Sequence, residues 1–347
     1  MDSSSARDDF FTRLPKVDLH RHLEGSIRLS TLLELAKSHA IQIPAGTQLE
    51  KLVQVQKEDP RTASNFLSKF KAQHPFFCSL EAIEQIAAEV VEDAAMDGVR
   101  HLELRFTPTS LARARDLSAA EVMDRVIASV RESAARCGIS ICLIASVNRH
   151  DSPALAEMVA NLALERRSDG ISALDLAGDE VNFPAQPFFT ALRTAAAGGL
   201  AVTVHAGEWG GPDHVREALE ELGVVRIGHG VRILEDPAVV AVAVKQQAVF
   251  EVCITSNYHT GVVPQIREHP IVRMMAAGLN VTINSDDPGI SRIRLSGEYR
   301  LACQELGLTV SQLQDCILAA GRASFLEDIP RQKLLEELER DFGMCSE

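Results

Sequence analysis

The chain has 347 residues, 46% of them hydrophobic, and a formal net charge of −13 at pH 7. That composition supports a large buried core and excludes a disordered or fibrous chain. With no basic stripe to track phosphates, the acidic balance argues against nucleic acid as a partner. The seven cysteines contain no CxxC pair and several sit among apolar residues. They are expected to be reduced core thiols of a cytoplasmic protein, not disulfides or a thiolate metal site.

The opening stretch MDSSSARDDFFTRLPK lacks the apolar run of a secretory signal. No apolar run anywhere approaches the ~20 residues of a membrane span. A first strand is expected over 17–22. The gap from about 25 to 100 is too long for one crossover and is expected to hold extra helices that cap the sheet. Within it, Phe66, Leu67 and Phe70 share helical spacing, read as core packing in preference to a substrate lid. A rhythm follows. Strand-like runs at 101–106, 139–147, 171–176, 201–205, 225–229, 249–253 and 280–285 alternate with helix candidates. The helices fall at 81–96, 119–136, 153–167, 187–197, 212–222, 237–246 and 270–277. Several of these open with Pro, whose missing N–H costs nothing in a first turn. Two closing helices are expected from Ser311 onward. Eight strands alternating with helices predict parallel βαβ units closed into a (β/α)₈ TIM barrel with capping helices. No linker-like stretch interrupts the rhythm, so 1–347 reads as one domain.

In such a barrel the chemistry gathers where strands end. The first strand ends in His20-Arg21-His22, whose imidazoles, two residues apart, point the same way. The fourth runs through Asp175 into Ala177-Gly178-Asp179-Glu180, and the fifth into His205-Ala206-Gly207-Glu208. The sixth ends at His229, and the eighth in Ser285-Asp286-Asp287-Pro288. His20, His22, His205 and Asp286 form a donor set suited to Zn²⁺ or a similar divalent ion. With a single carboxylate the site keeps net positive charge, which lowers the pKa of a bound water toward ~7. Glu208 can lie beside the ion without binding it and, protonated by burial, give a proton to a substrate ring nitrogen. His229, between two glycines, is placed to orient the attacking water or to assist its deprotonation. Asp287 is free to accept a hydrogen bond or a proton.

The segments HRHLEGSIR, HLELRF, ALDLAGDE, TVHAGE, RIGHGV, TSNYHTG and INSDDPG occur in the order found in adenosine deaminases. The resemblance runs from about Leu14 to Phe325. It implies a (β/α)₈ barrel with one zinc per chain, held by His20, His22, His205 and Asp286. It implies Glu208 as proton donor to N1 of the purine, His229 positioning the hydroxide that attacks C6, Asp287 bonded to N7 and the Gly178 N–H at N3. His22 and Glu24 would line the substrate. The family usually reads HLDG where this chain has His22-Leu23-Glu24-Gly25, and its Asp there meets the ribose 5′ hydroxyl. HLEG and NSDDP also occur in adenine deaminases, whereas AGDE and RIGHG are typical of the nucleoside enzymes. The implied substrate is therefore a small-molecule purine nucleoside, adenosine and 2′-deoxyadenosine. Adenine, or a larger 6-amino nucleoside such as aminodeoxyfutalosine, is the alternative.

Other classes fit less well. A two-metal hydrolase of the same superfamily commonly carries a modified Lys on its fourth strand, and this one ends DLAGDE. A nucleic-acid deaminase carries H-x-E followed by P-C-x-x-C, which is absent. A non-catalytic barrel would typically have lost a ligand or the acid. Among the remaining histidines, His150 follows the third strand near the site and His259 is expected in a loop. His74, His101, His214 and His269 read as structural or solvent-facing.

Overall fold

The computed structural model describes residues 10–44, 46–113 and 117–345. Eight strands form one parallel sheet in chain order: β1 (Lys16–His22), β2 (Val99–Phe106), β3 (Ser140–Asn148), β4 (Ile171–Ala177), β5 (Ala201–Ala206), β6 (Arg226–His229), β7 (Val249–Val252) and β8 (Asn280–Ile283). The sheet closes between β1 and β8 by a single bridge, Arg21 to Asp286. Its two backbone bonds run from His22 N–H to Asp286 O at 2.8 Å and from Asp286 N–H to His20 O at 2.7 Å. Below that bridge, side chains replace the ladder. Asn284 Oδ1 accepts the Leu19 N–H at 2.9 Å, and Asp18 accepts the Ser285 N–H at 3.2 Å. The expected eight-stranded barrel is therefore present, with its seam at the strands that carry His20, His22 and Asp286.

Helices surround the sheet near their expected bounds. Ser152 caps the helix Pro153–Glu165 and Asp236 caps Pro237–Lys245, each preceding a Pro in the first turn. Two helix ends expected from sequence are 3₁₀ turns instead, Arg167–Asp169 and Gln186–Phe188, where the chain tightens to meet the neighbouring strand or helix. Among the described residues the long gap holds the α-helices Leu29–Ser38, Leu49–Val53, Ala63–Gln73 and Leu80–Met96 and the 3₁₀ turn His74–Phe76. The helices Val310–Ala323 and Asp328–Cys345 close the chain. One large apolar cluster runs from Phe11 to Phe342 between sheet and helices, and a small one joins Val55, Phe66 and Ile290. Among the described residues no helix is long and apolar enough to cross a membrane.

The barrel interior is ionic, where branched apolar residues are the more usual filling. Arg105 on β2, Arg226 on β6, Glu103 on β2 and Glu251 on β7 are all fully or nearly fully buried. Arg226 pairs with Glu103 at 2.7 Å and with Glu251 at 2.6 Å, and Arg105 pairs with Glu251 at 2.8 Å. This network forms the floor on which the strand-end groups stand.

Candidate active site

His20 and His22 project together from the end of β1. His20 Nδ1 lies 2.8 Å from Glu251 Oε2, so the ring proton is held there and the bare Nε2 faces the cavity. His205, on β5, is oriented in the same way by Asp175 Oδ1 at 3.1 Å. The Nε2 atoms of His20 and His22 are 3.3 Å apart, and Asp286 Oδ1 lies 3.3 Å from the first and 3.4 Å from the second. A donor nitrogen of His205 lies within 4.8 Å of those of His20 and His22. Ligands about 2.1 Å from a tetrahedral ion are separated by about 3.4 Å. The converging atoms are lone-pair donors at that spacing, so three imidazoles and a carboxylate fit a divalent cation of the zinc class. Cys253 also approaches His20 and Asp286. Its thiol points instead to the Glu251 carbonyl at 3.5 Å, which takes it out of the donor set.

Glu208 sits in the loop after β5. Its position is set by Glu180, whose carboxylate accepts the N–H groups of Gly207, Glu208, Trp209 and Gly210 at 2.8, 2.7, 2.7 and 2.8 Å. Arg149 adds a bond to the His205 carbonyl at 2.8 Å. Burial, then the nearby Asp286 and Glu180 charges, push the Glu208 carboxyl well above its ordinary range. That direction favours the protonated carboxyl. His229 Nε2 lies 3.6 Å from Glu208 Oε2 and 3.9 Å from Asp286 Oδ2. Burial holds its imidazole well below the ordinary range despite Asp286, so the ring is neutral. His229 and Asp286 both adopt left-handed backbone, φ +60° and +58°. Such conformations cost on the order of 1–3 kcal/mol in non-glycine residues and cluster at functional sites.

Glu24 and Asp287 face one another across the same space. Glu24 Oε1 accepts the Thr107 N–H at 2.7 Å, while its buried Oε2 has no partner, as is true of Asp287 Oδ1. Burial raises both carboxyls, Asp287 well above its ordinary range with Asp286 and Glu24 adding to the effect. Gly25 is required here, since a Cβ would sit 1.8 Å from Asp287 Oδ1. Gly178 has φ +103°, and a Cβ there would lie 2.7 Å from Asn148 Oδ1.

His22, Glu24, Gly178, His205, Glu208, His229, Asp286 and Asp287 line one cavity of about 760 Å³, with His20 at its floor. Every site residue singled out from sequence thus meets at the C-terminal rim of the barrel. His150 lines the cavity too. Phe66, Leu67 and Phe70, read as core packing, also form its outer wall. Phe66 alone is buried in the small apolar cluster, because their helix, Ala63–Gln73, packs over the open barrel mouth and away from the main core. His259, expected in a loop, ends a short helix, Ile254–His259. His269, read as structural or solvent-facing, is buried and bonded to Asn257, which in turn bonds His229.

Glu251, Glu180, Arg105 and Asn257 carry no motif that marks their roles, and Asp175 is marked only by its place at a strand end. A charged residue in the middle of a β-branched run, Val249–Val252, was the available signal for Glu251.

Comparison with known proteins follows the same lines. The family model described as adenosine deaminase matches residues 15–341. An adenosine deaminase from Shigella flexneri serotype 5b is 38% identical over 330 residues, spanning 94% of this chain and 98% of that protein. A cog1816 amidohydrolase from Burkhoderia ambifaria, solved with bound Zn, superposes with a TM-score of 0.91 at 26% identity, covering 100% of this chain and 95% of that one. Adenine deaminase from Arthrobacter aurescens superposes with a TM-score of 0.87 at 28% identity, covering 94% and 98%.

Proposed function

The chain belongs to the adenosine deaminase family of hydrolytic deaminases, and from that premise we propose that it converts adenosine, and 2′-deoxyadenosine, to the 6-oxo nucleoside with release of ammonia. The observation that carries the reading is the meeting of the His20, His22 and Asp286 donor atoms, 3.3–3.4 Å apart, beside a buried Glu208 whose carboxyl is pushed well above its ordinary range. Hydrolysis at C6 of a purine needs an activated water on one face and a proton for the ring nitrogen, and this rim offers both. The reading takes the chain as a single catalytic unit.

His20, His22, His205 and Asp286 would hold one zinc ion, which supplies Lewis acidity and lowers the pKa of water at neutral pH. Glu251 and Asp175 keep the two imidazoles they touch aligned and bare toward the ion. Glu208 gives its proton to N1 as C6 becomes tetrahedral, so the ring never carries a full negative charge. Glu180 fixes the loop that presents that acid. His229, neutral, holds the attacking oxygen over C6. Asp287 meets N7 and the Gly178 N–H meets N3, which together place the purine edge.

The partnerless Oε2 of Glu24 supports a nucleoside over a free base, because a buried carboxyl oxygen asks for a donor such as a ribose hydroxyl. The 38% identity over 330 residues to an adenosine deaminase is in keeping with that choice. The test is turnover by zinc-loaded protein on adenosine, 2′-deoxyadenosine, adenine and aminodeoxyfutalosine, following ultraviolet absorbance and ammonia. Adenosine and deoxyadenosine should be consumed fastest. No ammonia from any of the four would end the proposal, and faster turnover of adenine would overturn the choice of nucleoside.

A further inference from the structure

Behind His229 a line of hydrogen bonds runs away from the cavity. His229 Nδ1 lies 3.2 Å from Asn257 Nδ2, and Asn257 Oδ1 lies 3.2 Å from His269 Nε2. The far end is a backbone group: the Ile271 N–H donates to His269 Nδ1 at 3.2 Å, at the start of the helix Ile271–Ala276. All three side chains are buried, and Asn257 is fully enclosed.

A backbone N–H can only donate, and this fixes the direction of every bond after it. His269 Nδ1 must accept, so the proton of a neutral His269 ring sits on Nε2. Burial keeps that ring neutral, its pKa lowered to about 3. His269 Nε2–H then donates to Asn257, which must present its oxygen there. The Asn257 amide nitrogen is left facing His229 and donates to Nδ1. A neutral His229 with an occupied Nδ1 lone pair carries its own proton on Nε2. At the other end of the ring, Nε2 faces the Asp286 carboxylate oxygen Oδ2 at 3.9 Å, which suits an N–H and not a lone pair, while Glu208 Oε2 at 3.6 Å can accommodate that N–H through its carbonyl oxygen.

We propose that Asn257 and His269 are positioning residues that relay the polarity of the Ile271 N–H through the protein and fix His229 as the Nε2–H tautomer. His229 is thereby a hydrogen-bond donor to the attacking oxygen. It has no lone pair in the cavity and so does not take that oxygen's proton. The choice between orienting the water and deprotonating it is made about two side chains away from the chemistry. The assignment of the tautomer stands on the hydrogen bonds alone, and its effect on turnover rests on the deaminase reading above.

The experiment uses zinc-loaded full-length protein with ¹⁵N-labelled histidine rings. Nitrogen-15 NMR should show His229 with a protonated Nε2 and a bare Nδ1. Asn257→Asp keeps the shape but replaces the amide donor with an acceptor, so the His229 proton should move to Nδ1. With adenosine, that variant should lose on the order of 10–100-fold in kcat at little change in KM and zinc content. His269→Gln, whose amide can still donate to Asn257, should retain most of kcat, whereas His269→Leu should lose it. A bare Nε2 on His229 in the wild-type spectrum overturns the proposal, whether or not the protein deaminates adenosine. So does an Asn257→Asp variant with the proton moved and kcat unchanged. If Asn257→Asp fails to fold, the wild-type spectrum and the His269 pair decide alone.

Discussion

Two sets of buried carboxyl groups lie within one barrel and behave in opposite ways. On the floor, burial alone would raise Glu251 and Asp175, yet both are held well below the ordinary range. Arg226 and Arg105 reverse the effect for Glu251, and His205 and Arg105 do so for Asp175. At the rim, Glu208, Asp287 and Glu24 are equally enclosed but have no guanidinium beside them, and burial wins. Both sets are Glu and Asp side chains taken out of solvent, and the neighbours each finds there set the direction of its shift. The floor holds carboxylates that orient imidazoles, while the rim holds carboxyls whose protonated form burial favours, able to give protons or accept new partners.

Replacing Glu208 with Gln breaks the rim most directly, since it removes the transferable proton and keeps the shape. Zinc should stay bound while kcat on adenosine falls on the order of 10²–10⁴-fold, read by steady-state kinetics with metal analysis. Near-normal turnover would remove Glu208 from its role.

Glu298 tests the rule away from the chemistry. It is fully buried against Thr255 with no cation at hand, and its carboxyl is raised to about 7. A carboxyl whose folded pKa lies above its unfolded value contributes stability that is present below the unfolded pKa of 4.5 and is lost as pH rises toward 7. Wild type should therefore lose about 3 kcal/mol between those limits relative to Glu298→Gln. Denaturant unfolding at a series of pH values measures this, and parallel curves for the two proteins would contradict it.

On the floor, Glu251→Gln can still accept from His20 and Arg105 through one oxygen, but its amide nitrogen then faces the Arg226 guanidinium. Zinc affinity should drop on the order of 10–100-fold, measured by competition with a chelator. Unchanged retention would mean that the floor does not support the ligands. The smallest effect is expected at Glu24. Shortening it to Asp, the residue usual in the family, should improve kcat/KM for adenosine roughly fivefold, about 1 kcal/mol, and leave adenine unaffected. Equal changes for both substrates would move Glu24 away from the ribose.

What could be seen in the sequence follows from range. The eight strands were legible because β-branched runs and Pro-started helices are local patterns, and the convergence of the candidate ligands because those residues end the strands. Glu251 was not, since its partner His20 lies 231 residues away and only the barrel brings them together. Glu180 stood in plain view in AGDE, but the four N–H groups it gathers lie 27 to 30 residues later. His269 looked idle because its bond to Asn257 acquires meaning only through the next bond, to His229. The segment NFLSKF divided between two readings because its helix packs over a cavity, where one face serves as both wall and core.

The seam between β1 and β8 has a consequence for biosynthesis. Asp18 and Ser285 meet across 267 residues of chain, and His20, His22 and Asp286 stand on the two sides of that join. A nascent chain can own three of the four proposed ligands long before the last strand leaves the ribosome, yet it cannot assemble the set. Tight capture of the proposed ion would thus report that the barrel has been finished, and a chain interrupted before residue 286 would leave its imidazoles without the carboxylate that completes them. The cofactor would act as a clasp that fastens only a whole protein.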